Sequence, residues 1–333
     1  MVKNLISGIT SQDGILLSRF LLTLNQEVFG IISSRSDQTR INLIKKLMPQ
    51  VKLVEVSDFS RLTLKQLLMD LKPDNIYNFA AVSSVKFSFE EPELTNQINY
   101  ELFCVIAEAA LEFKVKRIRV FQPSSSEMFG NSKDILQDEN SQINPLSPYG
   151  ESKAKAHLAA RTYRSNGLFV STGILFNHES EFRKEGFLFE KITAYMARRK
   201  LGEREILELG SLDIARDWGY AGDFVKGIYR SMQIQESSEF VFATGVQRTI
   251  KTVLSCCLDI ISDETDFTQI VKTNNDYLRP KEKFSSCGNS TKARRQLGWY
   301  PETSFTQMLE IMIAKKIGEQ PKQSLYFQTK EGK

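Results

Sequence analysis

Short apolar segments alternate with helical segments through the first half of the chain. The apolar segments are rich in Val, Ile and Phe, and several of them end in small or polar residues. This alternation predicts βαβ units, in which parallel strands form one sheet and helices cover its two faces. The predicted strands are residues 3–7, 27–32, 51–56, 75–80, 117–122 and 168–176, and the predicted helices are residues 15–24, 62–71, 94–113 and 148–164. The sequence therefore predicts an α/β protein with a doubly wound parallel sheet.

A glycine turn follows the first predicted strand. Residues 8–14 read Gly-Ile-Thr-Ser-Gln-Asp-Gly and lead into a helix. Strand, glycine turn and helix in this order are typical of a Rossmann-type dinucleotide site, where the helix N-terminus faces the pyrophosphate. Gly8 would form the tight turn, and Gly14 would let the helix pack closely on the strand. Ser11 stands where a third glycine is common, and an ordinary βα turn is the alternative interpretation.

The loop after the second strand bears on the choice of cofactor. Residues 33–36 read Ser-Ser-Arg-Ser, and the first carboxylate is Asp37. NAD sites usually place an acidic residue here for the ribose 2′-hydroxyl, whereas arginine and hydroxyl groups suit a 2′-phosphate. Ser34, Arg35 and Ser36 therefore favour NADP, although an exposed serine turn would look the same.

Tyr149 and Lys153 stand four residues apart in a predicted helix and so share one face. A fixed ammonium nearby would lower the pKa of the phenol from its usual value of about 10 and let it act as a general base. Such pairs are also common on solvated helix faces. This pair is informative because a nucleotide-binding pattern precedes it.

Polar residues follow several of the predicted strands. They are Ser83, Ser125, Glu127, Asn177 and His178. Ligands of doubly wound sheets bind beyond the carboxyl ends of the strands. We therefore expect these side chains to converge at one edge of the sheet.

Composition excludes several other classes of protein. The chain has 333 residues and a formal net charge of +4, without a basic run of the kind that binds nucleic acid. No segment is long and apolar enough to span a bilayer, and we expect no signal peptide because polar residues interrupt the N-terminal segment. The four cysteines lack the spacing of a metal site. We expect no metal and a cytoplasmic location.

The strand–helix alternation ends near residue 176, and a less regular part follows. Its basic residues suit an anionic ligand such as a diphosphate, because arginine pairs with phosphate through two hydrogen bonds. Those residues are Arg183, Lys191, Arg216 and Arg279. We expect a nucleotide-binding domain with the catalytic residues at 1–176, a mixed, mainly substrate-binding lobe at 177–318 and a polar tail at 319–333. One or two segments of the second part are expected to return to the sheet.

These motifs resemble the extended short-chain dehydrogenases/reductases and, within that group, the GDP-mannose 4,6-dehydratases. The resemblance runs from residue 8 to about residue 301. Its most specific stretches are Phe-Asn-His-Glu-Ser at 176–180 and Arg-Asp-Trp-Gly at 216–219. Further matching stretches lie at 125–127, 147–150, 243–245 and 279–280.

The resemblance implies a role for each matching residue. The implied catalytic residues are Ser125, Glu127, Tyr149 and Lys153. The residues implied to bind NADP are Gly8, Ile9, Thr10, Ser11, Gln12, Asp13, Gly14, Ser34, Arg35, Ser36, Asp58, Phe59, Phe79, Ala80, Ala81, Ser83, Tyr149, Lys153, His178 and Arg183. The residues implied to bind a nucleotide-diphosphate sugar are Ser83, Ser125, Asn177, Lys191, Arg216, Arg279 and Glu282.

Some positions depart from the family pattern, among them Ser11, Ser33, Leu94 and the stretch 181–184 (Glu-Phe-Arg-Lys). Such departures at the periphery indicate the same chemistry on GDP-mannose or on a related GDP-hexose, GDP-heptose or N-acetylhexosamine. Two alternatives are an NADP-dependent nucleotide-sugar reductase or epimerase, and a non-catalytic NADP-binding sensor. The resemblance also implies a homodimer or homotetramer.

Overall fold

A central parallel sheet organises the structure, a computed structural model that describes residues 1–131, 134, 136–278 and 285–319. Within this part of the chain, seven parallel strands form the sheet, which confirms the predicted doubly wound architecture. The central sheet contains β1 to β6 and β10, and the other strands form smaller sheets. In chain order, the strands of the described residues are β1 (Lys3–Ser7), β2 (Glu27–Ile32), β3 (Lys52–Glu55), β4 (Asn75–Asn78), β5 (Arg119–Ser125), β6 (Phe169–Leu175), β7 (Asn177–Glu179), β8 (Leu207–Leu209), β9 (Ala215–Tyr220), β10 (Glu239–Phe242), β11 (Gln247–Thr249), β12 (Val271–Thr273) and β13 (Ser285–Ser286).

Helices cover both faces of this sheet and build most of a second lobe. The α-helices are α1 (Gln12–Thr23), α2 (Gln38–Leu47), α3 (Arg61–Leu71), α4 (Val85–Glu90), α5 (Pro92–Asn96), α6 (Leu102–Glu112), α7 (Pro148–Ser165), α8 (Leu188–Lys200), α9 (Ala221–Ser231), α10 (Ile250–Ile261), α11 (Thr291–Leu297) and α12 (Phe305–Ile317). Shorter turns are a π turn (Gln97–Glu101) and 3-10 turns (Ser126–Phe129, Phe267–Gln269 and Asn275–Tyr277).

The central sheet has the strand order β10-β6-β5-β4-β1-β2-β3. The order reverses between β1 and β4, and such a reversal opens a ligand-binding crevice beyond the strand ends. Buried polar side chains tie the central strands together. Ser7 Oγ donates to Asn78 Oδ1 at 2.5 Å, and Asn78 Nδ2 donates to Gln122 Oε1 at 2.7 Å.

Side-chain caps decide where the helices of the site begin. Ser11 Oγ accepts the N–H of Gly14 at 3.0 Å, so α1 starts at Gln12, three residues before the predicted start. Ser147 Oγ accepts the N–H of Gly150 at 3.1 Å and starts α7 at the predicted residue. Each cap contributes about 1 kcal/mol.

The predicted helix 94–113 is not a regular α-helix. It comprises part of α5, the π turn at Gln97–Glu101 and α6. The π turn contains Asn99, a buried asparagine whose side chain contacts two other elements. Single π turns inside helices occur frequently at functional sites.

The second half of the chain contributes to the second lobe and to the central sheet. In its described part, β7, β9, β11 and β13 form a small mixed sheet, and α8, α10 and α12 enclose a separate apolar core with Phe189 and Trp218. The strand β10 instead pairs with β6 in the central sheet. A domain boundary at residue 176 remains a prediction. Among the described residues, no helix combines the length and apolar character needed to cross a membrane.

Candidate active site

The glycine turn after β1 packs directly on the end of β4. Gly8 has φ +67°, and a Cβ there would lie 2.4 Å from the backbone of Phe79 and Ala80. A Cβ on Gly14 would lie 2.6 Å from the carbonyl oxygen of Gly8. Side chains are therefore excluded at both positions, and the first-turn N–H groups of α1 have no helical acceptors. This arrangement fits the pyrophosphate of a dinucleotide.

The loop after β2 forms a compact serine turn. The N–H of Ser33 donates to Ser36 Oγ at 2.9 Å, and the N–H of Ser36 donates to the carbonyl of Ser33 at 2.9 Å. Ser34 and Arg35 are exposed beyond this turn. These hydroxyl and guanidinium groups fit a 2′-phosphate, although their binding role remains a prediction.

Arg40, in the first turn of α2, is a site residue that the motif analysis missed. Its guanidinium donates to the carbonyl oxygens of Thr10 and of Phe182, the latter at 3.0 Å. It thus joins the glycine turn to the segment that follows β7. A basic residue in the first turn of the helix after β2 was the available sequence signal.

Three of the predicted catalytic side chains meet where β5 ends and α7 begins. Ser125 Oγ accepts the N–H of Glu127 at 3.2 Å and is also hydrogen-bonded to the phenol of Tyr149. The Glu127 carboxylate is close enough to raise the pKa of that phenol. Ser125, Glu127 and Tyr149 therefore form one polar cluster.

A close backbone contact and a serine hydroxyl set the position of Tyr149. A Cβ on Gly150 would lie 2.7 Å from the carbonyl oxygen of Glu127, so α7 starts directly against the 3-10 turn. The N–H of Tyr149 donates to Oγ of the buried Ser88 on α4, at 3.1 Å. Ser88 supplies an acceptor that the first turn of a helix lacks. No local sequence signal identified Ser88, because it lies 61 residues from Tyr149.

Asn99 connects the loop after β4 to α7. Its side chain accepts the N–H of Val82 at 2.8 Å and donates to the carbonyl of Val82 at 3.0 Å. It also donates to Ser152 Oγ at 2.9 Å, and Ser152 donates to the carbonyl of Tyr149 at 2.8 Å. No clear sequence signal identified this role, because Asn99 lies in a polar stretch with Asn96, Gln97 and Glu101.

Burial dominates the protonation of Tyr149 and Lys153. It raises the pKa of Tyr149 to about 12, against the opposing hydrogen bond from Ser125. It lowers the pKa of Lys153 to about 8, against the opposing charge of Asp13. The ammonium donates to the carbonyl of Pro123 at 3.2 Å and lies 5.9 Å from the centroid of the Tyr149 ring. The expected lowering of the phenol pKa was therefore wrong for this geometry, because desolvation is the largest effect on the phenol and raises its pKa.

His178 and Asp13 form an ion pair beside the glycine turn. His178 Nδ1 lies 2.7 Å from the carbonyl oxygen of Phe176, and Nε2 lies 3.1 Å from Asp13 Oδ2. Both partners are acceptors, so the ring is held as the imidazolium. Burial opposes this charge, but the carboxylate outweighs burial and raises the pKa of His178. Gln12 Nε2 also donates to the carbonyl of His178, at 3.0 Å.

Comparison with known sequences identifies the family. The sequence model of the GDP-mannose 4,6 dehydratase family matches residues 5–312. The chain belongs to the GDP-mannose 4,6-dehydratase family. It is 35% identical to GDP-mannose 4,6 dehydratase 1 of Arabidopsis thaliana, over 93% of this chain and 88% of the relative. It is also 35% identical to the GDP-mannose 4,6-dehydratase of Yersinia enterocolitica, over 94% of this chain and 93% of that one.

Solved structures show the same fold at lower identity. DesIV, a dTDP-glucose 4,6-dehydratase from Streptomyces venezuelae, superposes with a TM-score of 0.83 at 22% identity and covers 94% of this chain and 96% of its own. A UDP-glucose 4-epimerase from Thermotoga maritima superposes with a TM-score of 0.82 at 20% identity, over 95% and 98% of the two chains. Dehydratases and epimerases thus share this architecture, and fold alone does not separate them.

In this member of the GDP-mannose 4,6-dehydratase family, two predicted cofactor positions lie at the start of α3. The Asp58 carboxylate accepts the N–H of Ser60 and the hydroxyl of Thr63, both at 2.8 Å. These hydrogen bonds lower the pKa of Asp58 to about 2. Phe59 is half-buried beside it. Asp58 therefore holds the turn, and its contact with a cofactor remains a prediction.

The residues expected to bind substrate are spread over several elements. Lys191 Nζ lies 3.8 Å from the centroid of the Tyr277 ring. Arg216 is buried on β9, Asn177 begins β7, and Ser83 is exposed in the loop after β4. Arg279 and Glu282 lie outside the described residues. Their shared role in this family member remains a prediction.

The stretch that departs from the family pattern has its own contacts. Arg183 Nε donates to Glu179 Oε2 at 2.6 Å, and its guanidinium also donates to the carbonyl of His178. Glu181 accepts the hydroxyl of Tyr220 at 3.0 Å and lies 3.7 Å from Arg19. Arg183 therefore lies beside His178, whose ring pairs with Asp13 of the glycine turn.

Proposed function

We propose that the protein is an NADP-dependent 4,6-dehydratase of GDP-mannose or of a related GDP-hexose, GDP-heptose or N-acetylhexosamine. The observation that carries the proposal is the cluster of Ser125, Glu127 and Tyr149. Reversible oxidation at one carbon needs the hydroxyl groups of this cluster. Elimination of water also needs a general base and then a general acid, and the carboxyl group of Glu127 supplies both in turn.

The first step is oxidation at C4 of the sugar. NADP, when bound, accepts a hydride from C4 and later returns it to C6. In its phenolate form, Tyr149 takes the proton of the C4 hydroxyl, and Ser125 holds the same oxygen by a hydrogen bond. With a pKa of about 8, Lys153 is mostly protonated at pH 7 and supplies a cation near the phenol. That cation favours the phenolate in the transition state.

The second step is elimination. The new 4-ketone makes the proton on C5 acidic, and Glu127 takes it. The same carboxyl group then gives a proton to the C6 hydroxyl, so that the C6–O bond breaks and water leaves. The returned hydride at C6 and a proton at C5, which balances the proton that Tyr149 took from the C4 hydroxyl and then releases, would complete the 4-keto-6-deoxy sugar. The fixed geometry of the three side chains supplies much of the rate.

The test is incubation of the purified protein with a panel of GDP-, UDP-, CDP- and dTDP-sugars, followed by mass spectrometry. A GDP-sugar that loses one water supports the proposal. In a parallel reaction that contains NADPH and a nucleotide-linked 4-keto sugar, a gain of two hydrogens without loss of water from any panel sugar would indicate a reductase. An isomer of unchanged mass, separated by chromatography, would indicate an epimerase. Bound NADP without any conversion would indicate a sensor. Each of these three outcomes would contradict the dehydratase assignment.

The assembly and the compartment are further parts of the proposal. We expect a homodimer or homotetramer, on the basis of the family resemblance. Light scattering at micromolar concentration measures the state, and a monomer would refute it. A cytoplasmic location is supported by the four cysteines, which are all free thiols.

A further inference from the structure

Arg40 joins two segments of the proposed cofactor site. Its guanidinium donates to the carbonyl of Thr10, in the glycine turn, and at 3.0 Å to the carbonyl of Phe182. Its backbone belongs to the first turn of α2, directly after the loop that follows β2. The side chain therefore reaches from this loop back to the turn after β1. In this fold the 2′ group of the adenosine ribose is recognised in that interval.

The charge of Arg40 is only partly compensated. Its two contacts are neutral carbonyls, and among the described residues no carboxylate lies within ion-pair distance of its guanidinium. Asp37 Oδ1 instead accepts the backbone N–H of Arg40 at 3.2 Å, and Asp37 Oδ2 lies 3.9 Å from Lys184. Burial lowers the pKa of Arg40, Asp37 opposes that effect, and the charge of Arg183 lowers the pKa further. Arg183 is itself paired with Glu179 at 2.6 Å, so Arg40 carries the less compensated of the two charges and is the better partner for an anion.

The side chain of Arg35 is less constrained than that of Arg40. Its side chain is exposed, and the described residues give its guanidinium no hydrogen bond. Binding through Arg35 requires a flexible side chain to be ordered, which has an entropic cost. Arg40 is already held by its two carbonyl contacts. A guanidinium has five N–H donors, so three of them remain for phosphate oxygens.

We propose that Arg40 recognises the 2′-phosphate of the cofactor and selects NADP over NAD. This inference rests on the NADP dependence proposed above. It assigns to the half-buried Arg40 of α2 the discrimination that the sequence pattern assigns to the exposed serine–arginine loop. The charge of Arg183 adds to the positive electrostatic potential around Arg40, and the carboxylate of Asp37 reduces it.

The test compares two probes that differ only in the 2′-phosphate, 2′,5′-ADP and 5′-AMP. Both are titrated by calorimetry into the full-length protein, and the nucleotide released from each purified variant is measured by mass spectrometry. Arg40→Gln is expected to weaken 2′,5′-ADP by about 10- to 100-fold, as for loss of charge-assisted hydrogen bonds. It should weaken 5′-AMP by less than about twofold. The released nucleotide should shift from NADP towards NAD.

Arg35→Gln tests the competing assignment, because Arg35 is the nearby arginine of the exposed loop and makes no hydrogen bond among the described residues. It is expected to weaken 2′,5′-ADP by about threefold or less, as for an exposed charge. Arg40→Lys keeps the charge and loses the planar fork, so its affinity should lie between those of the wild type and Arg40→Gln. If Arg40→Gln does not fold, as judged by its thermal unfolding, Arg40→Lys carries the same comparison.

Two results would overturn the inference. Equal weakening of both probes by Arg40→Gln would mean that Arg40 only supports the glycine turn. A loss confined to Arg35→Gln would return the role to the exposed loop. A wild-type protein that binds both probes equally would refute the NADP assignment itself, and the variants would not be needed to show it.

Discussion

A Cβ on Gly150 would lie 2.7 Å from the backbone carbonyl oxygen of Glu127. Side-chain carbons do not approach a carbonyl oxygen so closely, so the residue after Tyr149 has to be glycine for α7 to start where it does. This contact places the Tyr149 phenol beside Ser125 and Glu127. The proposed catalytic cluster therefore requires glycine, which has no Cβ, at position 150.

Gly150→Ala is expected to lower kcat by about tenfold or more, because the added methyl group pushes the helix start away from Glu127. The cost in stability should stay near 1–3 kcal/mol, since alanine also favours the helix by about 1 kcal/mol. Water loss measured by mass spectrometry gives kcat, and circular dichroism gives the free energy of unfolding. Glu151→Ala, at the exposed next residue, is the control. An unchanged kcat for Gly150→Ala would mean that this contact does not limit the geometry.

Glu127→Gln should separate oxidation from elimination. The amide cannot take the C5 proton, whereas Tyr149 and Lys153 still support oxidation at C4. The variant is expected to accumulate reduced nicotinamide and a 4-keto sugar that keeps its C6 hydroxyl. Tyr149→Phe should stop the reaction before any reduced nicotinamide forms. Stopped-flow absorbance distinguishes the two variants, and near-wild-type dehydration by Glu127→Gln would remove that residue from the mechanism.

The pH dependence of kcat/KM should report the charge of Lys153. Its pKa is lowered to about 8, so the cation is present below that pH and lost above it. Because the pKa of Tyr149 is about 12, the fraction of its reactive phenolate rises about tenfold per pH unit through this window, while the ammonium fraction of Lys153 falls above pH 8. We therefore expect kcat/KM to rise up to about pH 8 and then to level off, because the two changes cancel. Lys153→Arg keeps its charge, so the rise should continue above pH 8 in this variant; a variant that levels off at the same pH would assign the bend to another group.

Asn99→Ala should loosen the loop after β4. It leaves the N–H and the carbonyl of Val82 without their side-chain partner, at a cost of about 1–3 kcal/mol. Hydrogen exchange of residues 79–84 is expected to speed up, and kcat to fall because Ser152 also loses a contact. Asn96→Ala, at a half-buried position in the same helical segment, is the matched control, because its side chain bonds to Glu101 and not to the loop. Equal exchange in the two variants would show that Asn99 does not hold the loop.

Much of the fold was predictable because its signals are local. The period of apolar residues predicted six of the seven central strands, and the glycines at 8 and 14 marked the turn between β1 and α1. Boundaries were less predictable where a cap or a π turn decided them. Ser11 starts α1 earlier than the apolar pattern indicates, and Asn99 lies in a π turn inside the long predicted helix.

The sequence by itself determined the architecture, the family and the identity of the polar residues at the strand ends. Each of these follows from residues close together in the chain, where periodicity and spacing carry the information. Tertiary structure alone decided that Ser88 caps the N–H of Tyr149, that Arg40 reaches Thr10 and Phe182, and that the pKa of Tyr149 rises. The contacts join residues far apart in sequence, and desolvation sums over every neighbour of a buried group. A local sequence pattern therefore does not predict the pKa of a buried group.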